Sequence, residues 1–378
     1  KKQKQKHYDQ MRVSLPVIVI FLVLTVLSTE TVLCFGIRSS KLVPSSALMD
    51  LDRISKTLPP IPDPNSDPAD DVFRNIKDSW PTKFVHFLRD TGAAGWIQDS
   101  LFIVGVPAIL PTYPDMMKNF LTLSNFLLPS NSTFSTEYYG SHPRQYIDIL
   151  KPSQGGNGKL IVFAHGGAWG SGKPWMYRLV ATPFIEKGYT VGIWGYRTYP
   201  ITDLNGQIQD LVDCLSHMKN SKEYEDTSVV AHSSGAHVSV MALFQRNEEF
   251  TDLCDELVAI SGVYDIPDHY QWESCRGVEE ISPMKPICGE IKTNWIQYSP
   301  TRIVNETIKM PRLLIVHGIL DKTVPYTSST KLAKALYIHE LEADLELVPD
   351  TGHIDIILDV MLGGRTQKAI LKWMSKCK

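Results

Sequence analysis

The chain has 378 residues, of which 43% are hydrophobic and 21% are charged. These proportions are those of an ordinary globular protein, and they exclude a disordered chain and a collagen-like fibre. Lys and Arg total 38 against 41 for Asp and Glu, so the net charge of −3 provides no basic field to attract nucleic acid. Six cysteines are too few for a disulfide scaffold in a chain of this length.

The first 36 residues have the composition of a targeting sequence. Met11 and Arg12 precede an apolar block of about fifteen residues, 13–27. This length fits a secretory signal peptide, at about 7–15 apolar residues, better than a membrane-spanning helix of about 20. We expect upstream residues and a signal peptide in 1–36; the alternative is an uncleaved anchor over 13–35, which would associate the protein with a membrane. In both cases the basic flank directs the remaining chain to the lumenal side.

Two other features agree with a secretory location, in the ER lumen or outside the cell. Asn131 and Asn305 begin the triplets Asn-Ser-Thr and Asn-Glu-Thr, which are acceptors for N-glycosylation. Cys275 and Cys288 lie in one loop-like stretch, where an oxidising lumen would allow them to pair.

Residues 37–137 form a separate N-terminal region with no recognisable motif. The stretch 59–68 contains too many prolines for a helix or a strand and is typical of an extended linker. Residues 72–128 are rich in leucine and aromatic residues. They suit a lid, a membrane-surface patch or helices packed on the main core.

From about residue 144, short apolar runs alternate with longer helical patterns. In 204–218, the apolar positions recur at three- and four-residue steps, which predicts one face of an amphipathic helix. Strands that alternate with such helices predict an α/β fold with a mostly parallel sheet covered on both faces. We assign this domain to 138–378. The predicted strands are 146–150, 160–164, 190–194, 228–231, 257–260, 313–317 and 345–348.

Two glycines follow the second predicted strand in the run His-Gly166-Gly167-Ala168-Trp169. Glycines at the carboxyl end of a strand leave backbone N–H groups unshielded by side chains. An acyl-transfer site requires such donors to stabilise the oxyanion of its tetrahedral intermediate. We therefore predict an oxyanion hole from the Gly166–Gly167–Ala168 segment together with the N–H of Ser234.

The fourth predicted strand ends in Ala231-His-Ser233-Ser234-Gly235, which matches a nucleophile elbow with alanine in the first glycine position. The elbow is a strained turn that requires small residues two positions before and after its central serine. Ala231 and Gly235 meet that requirement, so Ser233 is the predicted nucleophile. Ser234 is the alternative.

The last two predicted strands are followed by an aspartate and a histidine. Asp321 comes after the strand 313–317, and His353 comes after 345–348. The order Ser, Asp, His along the chain is that of the α/β-hydrolase fold, with the histidine as base and the aspartate as its orienting carboxylate. Asp355 and Asp265 are alternatives to Asp321. No closely spaced set of metal ligands is present, and the predicted chemistry needs no metal or cofactor.

The segment 264–300 between two core strands is long, aromatic and contains proline, which predicts a cap over the site. We expect the following aromatic residues to line a substrate pocket, although packing within the cap is an equal alternative. They are Trp169, Tyr264, Tyr270, Trp272 and Trp295.

Jointly, these motifs resemble the α/β-hydrolases that include prenylcysteine methylesterases and kynurenine formamidases. The resemblance covers 138–375, and it is strongest for the methylesterases in 139–148 and 196–200. Ala168 departs from the tyrosine that formamidases commonly carry at this position. The motifs that carry the resemblance are His165-Gly-Gly-Ala-Trp169, Tyr196-Arg197, His232-Ser-Ser-Gly-Ala-His237, His317-Gly-x-x-Asp321 and Gly352-His353.

The sequence therefore predicts a serine hydrolase that cleaves the carboxylic ester of a small or lipid-like molecule. Ser233 would form an acyl-enzyme, with His353 and Asp321 completing the triad. Two alternatives stay open. One is hydrolysis of a formamide or another amide by the same residues, and the other is a binding protein that uses a hydrolase fold without catalysis.

Overall fold

The structure is a computed structural model, and it describes residues 89–93, 95, 128–129 and 131–376. The described residues all belong to the compact unit 45–378. The predicted leader 1–36, the proline-rich linker and nearly all of the region 72–128 lie outside the described residues. Among the helices that are described, none is long and apolar enough to cross a membrane.

The centre of the domain is a mostly parallel eight-stranded sheet in the order β1-β2-β4-β3-β5-β6-β7-β8. β1 and β2 form an antiparallel hairpin, β2 pairs antiparallel with β4, and the remaining neighbours are parallel. The strands are β1 (Ser132–Tyr138), β2 (Tyr146–Pro152), β3 (Lys159–Ala164), β4 (Thr190–Trp194), β5 (Asp226–His232), β6 (Glu256–Ile260), β7 (Arg312–Gly318) and β8 (Asp344–Val348).

All seven predicted strands are confirmed, and each predicted end lies within two residues of the observed one. The sequence did not predict β1. Its residues Ser-Thr-Phe-Ser-Thr-Glu-Tyr are polar and largely exposed, because the strand lies at an edge of the sheet and pairs only with β2. The sheet therefore begins at Ser132, before the expected start of the domain at 138.

Helices cover both faces of the sheet, and each face has its own apolar core. Helices α3, α4 and α9 pack on one face, and α1, α2, α10 and α11 pack on the other. Numbered from the first helix after β3, they are α1 (Pro174–Tyr177), α2 (Thr182–Ile185), α3 (Leu204–Asn220), α4 (Ser234–Gln245), α5 (Asn247–Leu253), α6 (Ile266–Arg276), α7 (Met284–Ile287), α8 (Pro300–Ile303), α9 (Thr327–Ile338), α10 (Asp355–Leu362) and α11 (Arg365–Met374).

The predicted helix 204–218 is α3, which continues to Asn220. It begins where the side chain of Asp203 accepts a hydrogen bond from the N–H of Gly206, a standard N-cap. Its apolar stripe, which includes Ile208 and Leu211, is buried against the sheet, as the spacing predicts.

The predicted cap is a helical insertion between β6 and β7. It contains α6, α7, α8 and a 3₁₀-helix, Lys292–Tyr298. Nε1 of Trp272 in α6 donates to the carbonyl of Lys322 beyond β7, and Nδ2 of Asn205 donates to the hydroxyl of Tyr298. These bonds attach the insertion to the loop after β7 and to the first turn of α3, both at the carboxyl edge of the sheet, where ligands of open α/β sheets bind.

The pairing of Cys275 with Cys288 that an oxidising lumen would allow is not formed in this structure, in which both thiols are free. Cys275 lies on an exposed part of α6, whereas Cys288 is buried behind α7, so the two side chains face different environments. The two glycosylation acceptors, Asn131 and Asn305, lie at exposed positions.

Candidate active site

Three predicted side chains meet at the carboxyl edge of the sheet. Ser233 directly follows β5, Asp321 lies in the loop after β7, and His353 lies between β8 and α10. Oγ of Ser233 is 2.9 Å from Nε2 of His353, and Nδ1 of His353 is 2.7 Å from Oδ2 of Asp321. The structure thus brings the three residues into one continuous chain of hydrogen bonds.

Ser233 occupies a strained turn between β5 and α4. Its φ of 55° and ψ of −123° lie in a region that residues other than glycine rarely adopt. The turn is fixed on both sides, because the N–H of Ser233 donates to the carbonyl of Ile260 and its carbonyl accepts from the N–H of His237. A methyl group on Gly235 would lie 2.3 Å from the carbonyl oxygen of Ala164. Only glycine therefore allows α4 to begin this close to β3.

Asp321 is held as a carboxylate by several N–H groups. Its Oδ1 accepts from the backbone N–H groups of Thr323 and Val324, at 2.9 and 2.8 Å, and its Oδ2 faces His353 and His317. Burial alone would raise the pKa of this carboxyl, but the two histidines outweigh that effect and hold the pKa well below its usual range. A carboxylate on Nδ1 of His353 keeps the ring proton there and leaves Nε2 to accept a proton from Ser233.

His317 is a second histidine on the same carboxylate. Its Nε2 lies 3.3 Å from Oδ2 of Asp321 and 2.9 Å from the carbonyl of Val324, so two acceptors assign the ring proton to Nε2. Its Nδ1 lies 2.6 Å from Oγ of Ser329 in α9. His317 thereby connects the end of β7 to α9 and fixes the loop that carries Asp321.

His232 supports the backbone of His353. Its Nε2 donates to the carbonyl of His353 at 3.2 Å, and the two ring centroids are 4.8 Å apart. Burial, followed by the nearby charge of His353, lowers the pKa of His232 to about 3. His232 is therefore neutral at physiological pH and places no second positive charge beside His353.

The predicted oxyanion hole contains three unengaged donors. Within the described part of the chain, the backbone N–H groups of Gly167, Ala168 and Ser234 donate to no acceptor. Ser234 is the first residue of α4, where the first backbone N–H groups have no partner inside the helix. These free donors are what the stabilisation of an oxyanion requires.

Two peptide groups of this loop are oriented by bonds to their carbonyl oxygens. Nδ1 of His165 donates to the carbonyl of Gly166 at 2.7 Å. The carbonyl of Gly167 accepts from the backbone N–H and the hydroxyl of Ser171, at 2.9 and 2.8 Å. Because the C=O and N–H of a trans peptide point in opposite directions, the first bond fixes the N–H of Gly167 and the second fixes that of Ala168.

The loop holds its shape at the cost of backbone strain. Gly167 has a φ of +132°, which only glycine adopts readily, and Ala168 and Trp169 follow with φ of 48° and 59°. Two successive residues with side chains in the left-handed region cost roughly 1–3 kcal/mol each unless the surroundings enforce them. The hydrogen bonds to Ser171 supply part of that enforcement.

The ring of His165 contacts two tyrosine rings. It stacks on Tyr177 with centroids 5.1 Å apart, and the ring of Tyr196 lies 4.7 Å away at an angle of 33°. Burial lowers the pKa of His165 to about 4, with the hydrogen bond to Gly166 opposing and the charge of Arg144 assisting. The ring is therefore neutral, and its single proton is on the Nδ1 that faces Gly166.

Trp169 is buried behind this loop. Its Nε1 donates to Nδ1 of His237 at 3.1 Å, and Nε2 of His237 donates to the carbonyl of Tyr298 at 2.8 Å. Burial lowers the pKa of His237 to about 4, so the ring is neutral and suited to both bonds. This relay joins the oxyanion loop, α4 and the end of the 3₁₀-helix in the cap.

The other predicted aromatic residues are distributed over the cap. Tyr264 is fully enclosed, and Tyr270 is half-buried with its ring 5.0 Å from that of Trp295. Trp272 is half-buried and bonded to Lys322. Tyr264 and Trp295 are therefore enclosed, whereas Tyr270 and Trp272 have part of their surface accessible.

The alternative candidates make other contacts. Oγ of Ser234 is buried with no hydrogen-bond partner in the described chain. Asp355 accepts from the N–H of Gly352 and so braces the loop of His353, while Asp265 caps α6 and pairs with Arg302. Neither carboxylate replaces Asp321 on Nδ1 of His353.

Sequence reasoning missed the four supporting histidines, His165, His232, His237 and His317. Each lies inside a motif whose predicted role belongs to another residue. His165 directly precedes the two glycines, His232 and His237 flank the elbow serines, and His317 lies four residues before Asp321. That proximity was the available signal. Their partners lie on other strands and helices, which the motifs do not specify.

No group of three or more His, Cys, Asp or Glu side chains able to hold a metal ion occurs among residues 131–376 and the shorter described stretches.

Residues 147–336 match the BD-FAE family model, and this match spans just over half of the chain. The chain belongs to the BD-FAE family. BD-FAE membership agrees with the eight-stranded, mostly parallel sheet and its flanking helices, which form an α/β-hydrolase fold. Esterase B from Lactobacillus rhamnosis superposes with a TM-score of 0.57 at 18% identity, over 72% of this chain and 94% of that one. This similarity establishes the fold.

Two relatives of this BD-FAE chain carry different names. A "probable isoprenylcysteine alpha-carbonyl methylesterase" from Arabidopsis thaliana is 24% identical over 274 residues, which are 67% of this chain and 64% of that protein. The kynurenine formamidase of Salmo salar is 24% identical over 250 residues, 63% of this chain and 81% of that protein. The chain thus spans just under two thirds of the length of the methylesterase relative.

Proposed function

We propose that the protein is a serine hydrolase that cleaves a carboxylic ester through an acyl-enzyme, as a methylesterase-like member of its family. The observation that carries the proposal is the hydrogen-bonded chain from Ser233 through His353 to Asp321 beside three free backbone N–H groups. Nucleophile, base, orienting carboxylate and oxyanion donors are the parts that acyl transfer requires.

In the first half-reaction, Oγ of Ser233 attacks the ester carbonyl while Nε2 of His353 takes the hydroxyl proton. The carbonyl oxygen becomes an oxyanion that accepts from the N–H groups of Gly167, Ala168 and Ser234. The ester C–O bond then breaks, and His353 returns the proton to the leaving alcohol. Asp321 stabilises the imidazolium that exists between the two transfers.

In the second half-reaction, water replaces the alcohol. His353 removes a proton from the water as its oxygen attacks the acyl carbon, and the same N–H groups hold the second oxyanion. Collapse of this intermediate breaks the bond to Oγ of Ser233 and returns the proton to it, which releases the carboxylic acid. No cofactor enters these steps.

The substrate would be a small or lipid-like ester that enters beneath the cap. We propose that Tyr270 and Trp272, which are half-buried, contact the acyl or alcohol group, and that the enclosed Trp169 and Tyr264 shape the wall from behind. The site of action would be the secretory pathway, reached through the leader in 1–36.

A labelling experiment tests the proposed nucleophile. We expect a fluorophosphonate probe to label the full chain covalently and Ser233→Ala to abolish that labelling. Ser234→Ala is the matched control, since it removes the neighbouring hydroxyl and keeps the backbone N–H. Undiminished labelling of Ser233→Ala, or loss of labelling only in Ser234→Ala, would contradict the assignment.

Formamide hydrolysis by the same residues is the second candidate function. It is favoured by the kynurenine formamidase relative, which aligns over 81% of its length. Rates on a short-chain aryl ester and on an N-formyl aromatic amine separate the two activities. A faster rate on the formamide would replace the ester proposal, and an absence of both activities and of labelling would favour a non-catalytic binding protein.

A further inference from the structure

We propose that a cavity beside the oxyanion loop is a binding site for an anionic group, a carboxylate or a phosphate. The cavity has a volume of about 240 Å³ and none of the proposed catalytic residues lines it. That volume is below the roughly 300–1,000 Å³ of pockets for drug-sized ligands, so the cavity suits a small anion or the charged end of a longer molecule.

Two cations line the cavity without a neutralising partner. Arg144 and Lys173 are both partly buried, and neither forms an ion pair with any carboxylate in the described part of the chain. Charges that are partly removed from water interact with an incoming ion more strongly than exposed charges do. The cavity therefore has a positive field that a bound anion would balance.

Two nearby arginines, in contrast, are paired with buried carboxylates. Arg197 binds the buried carboxylate of Asp210, and Arg178 binds that of Asp148 at 2.8 Å through Nε. Each of these guanidinium groups is matched inside the protein. Arg144 instead donates through Nη1 to the hydroxyl of Thr198, which leaves its Nε and Nη2 donors for a ligand.

The cavity also contains hydroxyl groups and a nearby acid that is already engaged. The Oγ1 of Thr198 accepts from Arg144, so its own proton can be donated elsewhere. Asp90 adjoins the lining residue Tyr199, whose hydroxyl donates to it at 2.8 Å, and it is paired with Arg89 at 2.7 Å. The balance of charge at the cavity remains positive.

Four separate segments line this site, the first of which contains Thr91, Gly92 and Gly95. Arg144 comes from the turn between β1 and β2, and Thr198, Tyr199 and Pro200 come from the loop after β4. Arg144 and Thr198–Pro200 lie in the sequence stretches 139–148 and 196–200, which contain none of the proposed catalytic residues. Lys173 follows the oxyanion loop directly, and the N–H of Tyr199 donates to the carbonyl of Trp169 at 2.9 Å.

Binding to the folded full chain tests the site. Inorganic phosphate and succinate, titrated separately by calorimetry up to about 50 mM, represent the two anion chemistries at millimolar affinity. We expect saturable binding of at least one probe. Arg144→Gln and Lys173→Gln should each weaken it about tenfold, the loss of one charged hydrogen-bonding partner. Lys187→Gln is the matched control, because it removes the same charge from an exposed position before β4, at the opposite edge of the sheet.

The outcomes are separable from those of the proposed function. Binding that is absent for both probes, or equally strong in Arg144→Gln and Lys173→Gln, overturns the anion site. Fluorophosphonate labelling of each variant reports that the domain is folded around Ser233. If Ser233 is not labelled in any protein but the anion still binds with the expected dependence on Arg144 and Lys173, the serine-hydrolase proposal fails and the anion site stands.

Discussion

The carboxyl edge of the sheet and the cap insertion hold their polar groups in different ways. At the edge, Ser233, Asp321 and His353 follow parallel strands whose ladders fix the backbone, and their key atoms all have partners. In the cap, short helices are joined by side chains, and its residues form no strand. Buried atoms without a partner among the described residues occur in both regions, Oγ of Ser234 at the edge and carboxylate oxygens of Glu273 and Glu279 in the cap, so the regions differ in how their backbone is fixed.

The sheet edge should therefore control the rate of the reaction, and the cap should control substrate selectivity. Groups fixed by the sheet are pre-organised for a transition state, which is where catalytic power arises. A cap of short helices, with no strand ladder to fix its backbone, has more freedom to adjust to a substrate. Substitutions at the edge should therefore change kcat, and substitutions in the cap should change KM.

The largest effect is expected for Asp321→Asn. The amide cannot hold His353 in the tautomer that accepts the serine proton, so kcat should fall by about 10⁴-fold on an aryl ester. Asp355→Asn is the control, since Asp355 braces the same loop through Gly352 without contacting the imidazole. Its kcat should change by less than about tenfold. Comparable losses in the two variants would mean that loop position, rather than the carboxylate on Nδ1, determines the rate.

The next largest effect is expected for His165→Asn in the oxyanion loop. Loss of the bond to the carbonyl of Gly166 frees the N–H of Gly167 to turn away from the site. Because removal of one oxyanion donor costs about 10²–10³ in kcat, we expect a loss of up to about 10²-fold with KM nearly unchanged. Ser171→Ala should produce a smaller loss through Ala168, because the backbone N–H groups of Gly170 and Ser171 still donate to the carbonyl of Gly167. A rise in KM with normal kcat would disprove the orienting role.

The buried histidines predict a steep acid dependence of stability. Burial lowers the pKa values of His165, His232 and His237 to about 4, 3 and 4, against about 6.5 in the unfolded chain. Between these limits only the unfolded state binds the protons, so the free energy of unfolding decreases as pH falls from about 6.5 towards 4. Three such groups give a slope of about 4 kcal/mol per pH unit near pH 5. Asp321, with its lowered pKa, adds its own loss only below about pH 4.

His237→Gln isolates one of these contributions. Urea unfolding between pH 5 and 7 should show an average slope roughly 1 kcal/mol per pH unit lower than in the unchanged chain. An unaltered slope in His237→Gln would show that His237 takes up its proton at the same pH in the folded and unfolded protein.

The smallest effect is expected for Trp272→Phe in the cap. The change removes the bond from Nε1 to the carbonyl of Lys322, worth about 0.5–1.5 kcal/mol, and KM should rise about two- to tenfold with kcat retained. Trp295→Phe loses a comparable bond, to Gly289, that stays within the cap, so its effect should fall mainly on stability. A kcat loss in Trp272→Phe as large as that of Asp321→Asn would remove the distinction between edge and cap.

A comparison of β4 with β1 shows which strands a sequence pattern can predict. The predicted strand 190–194 coincides with β4, because β4 is buried on both faces and its apolar run follows directly from that burial. β1 was not predicted, since an exposed edge strand needs no apolar face and its residues are mostly polar and solvent-exposed. The possible disulfide is not formed for a related reason, because closeness of Cys275 and Cys288 along the chain does not determine which way each side chain faces.

The sequence by itself determined the order of the strands along the chain and the chemistry at their ends. The elbow around Ser233, the two glycines and the placement of Asp321 and His353 are local patterns, and parallel strands bring their carboxyl ends to one edge. Only the tertiary structure decided which tautomer each supporting histidine holds, which peptide groups are turned towards the site, and that Arg144 and Lys173 share one cavity whose described lining contains no acid. These features depend on contacts between segments far apart in sequence, and no local spacing encodes such contacts.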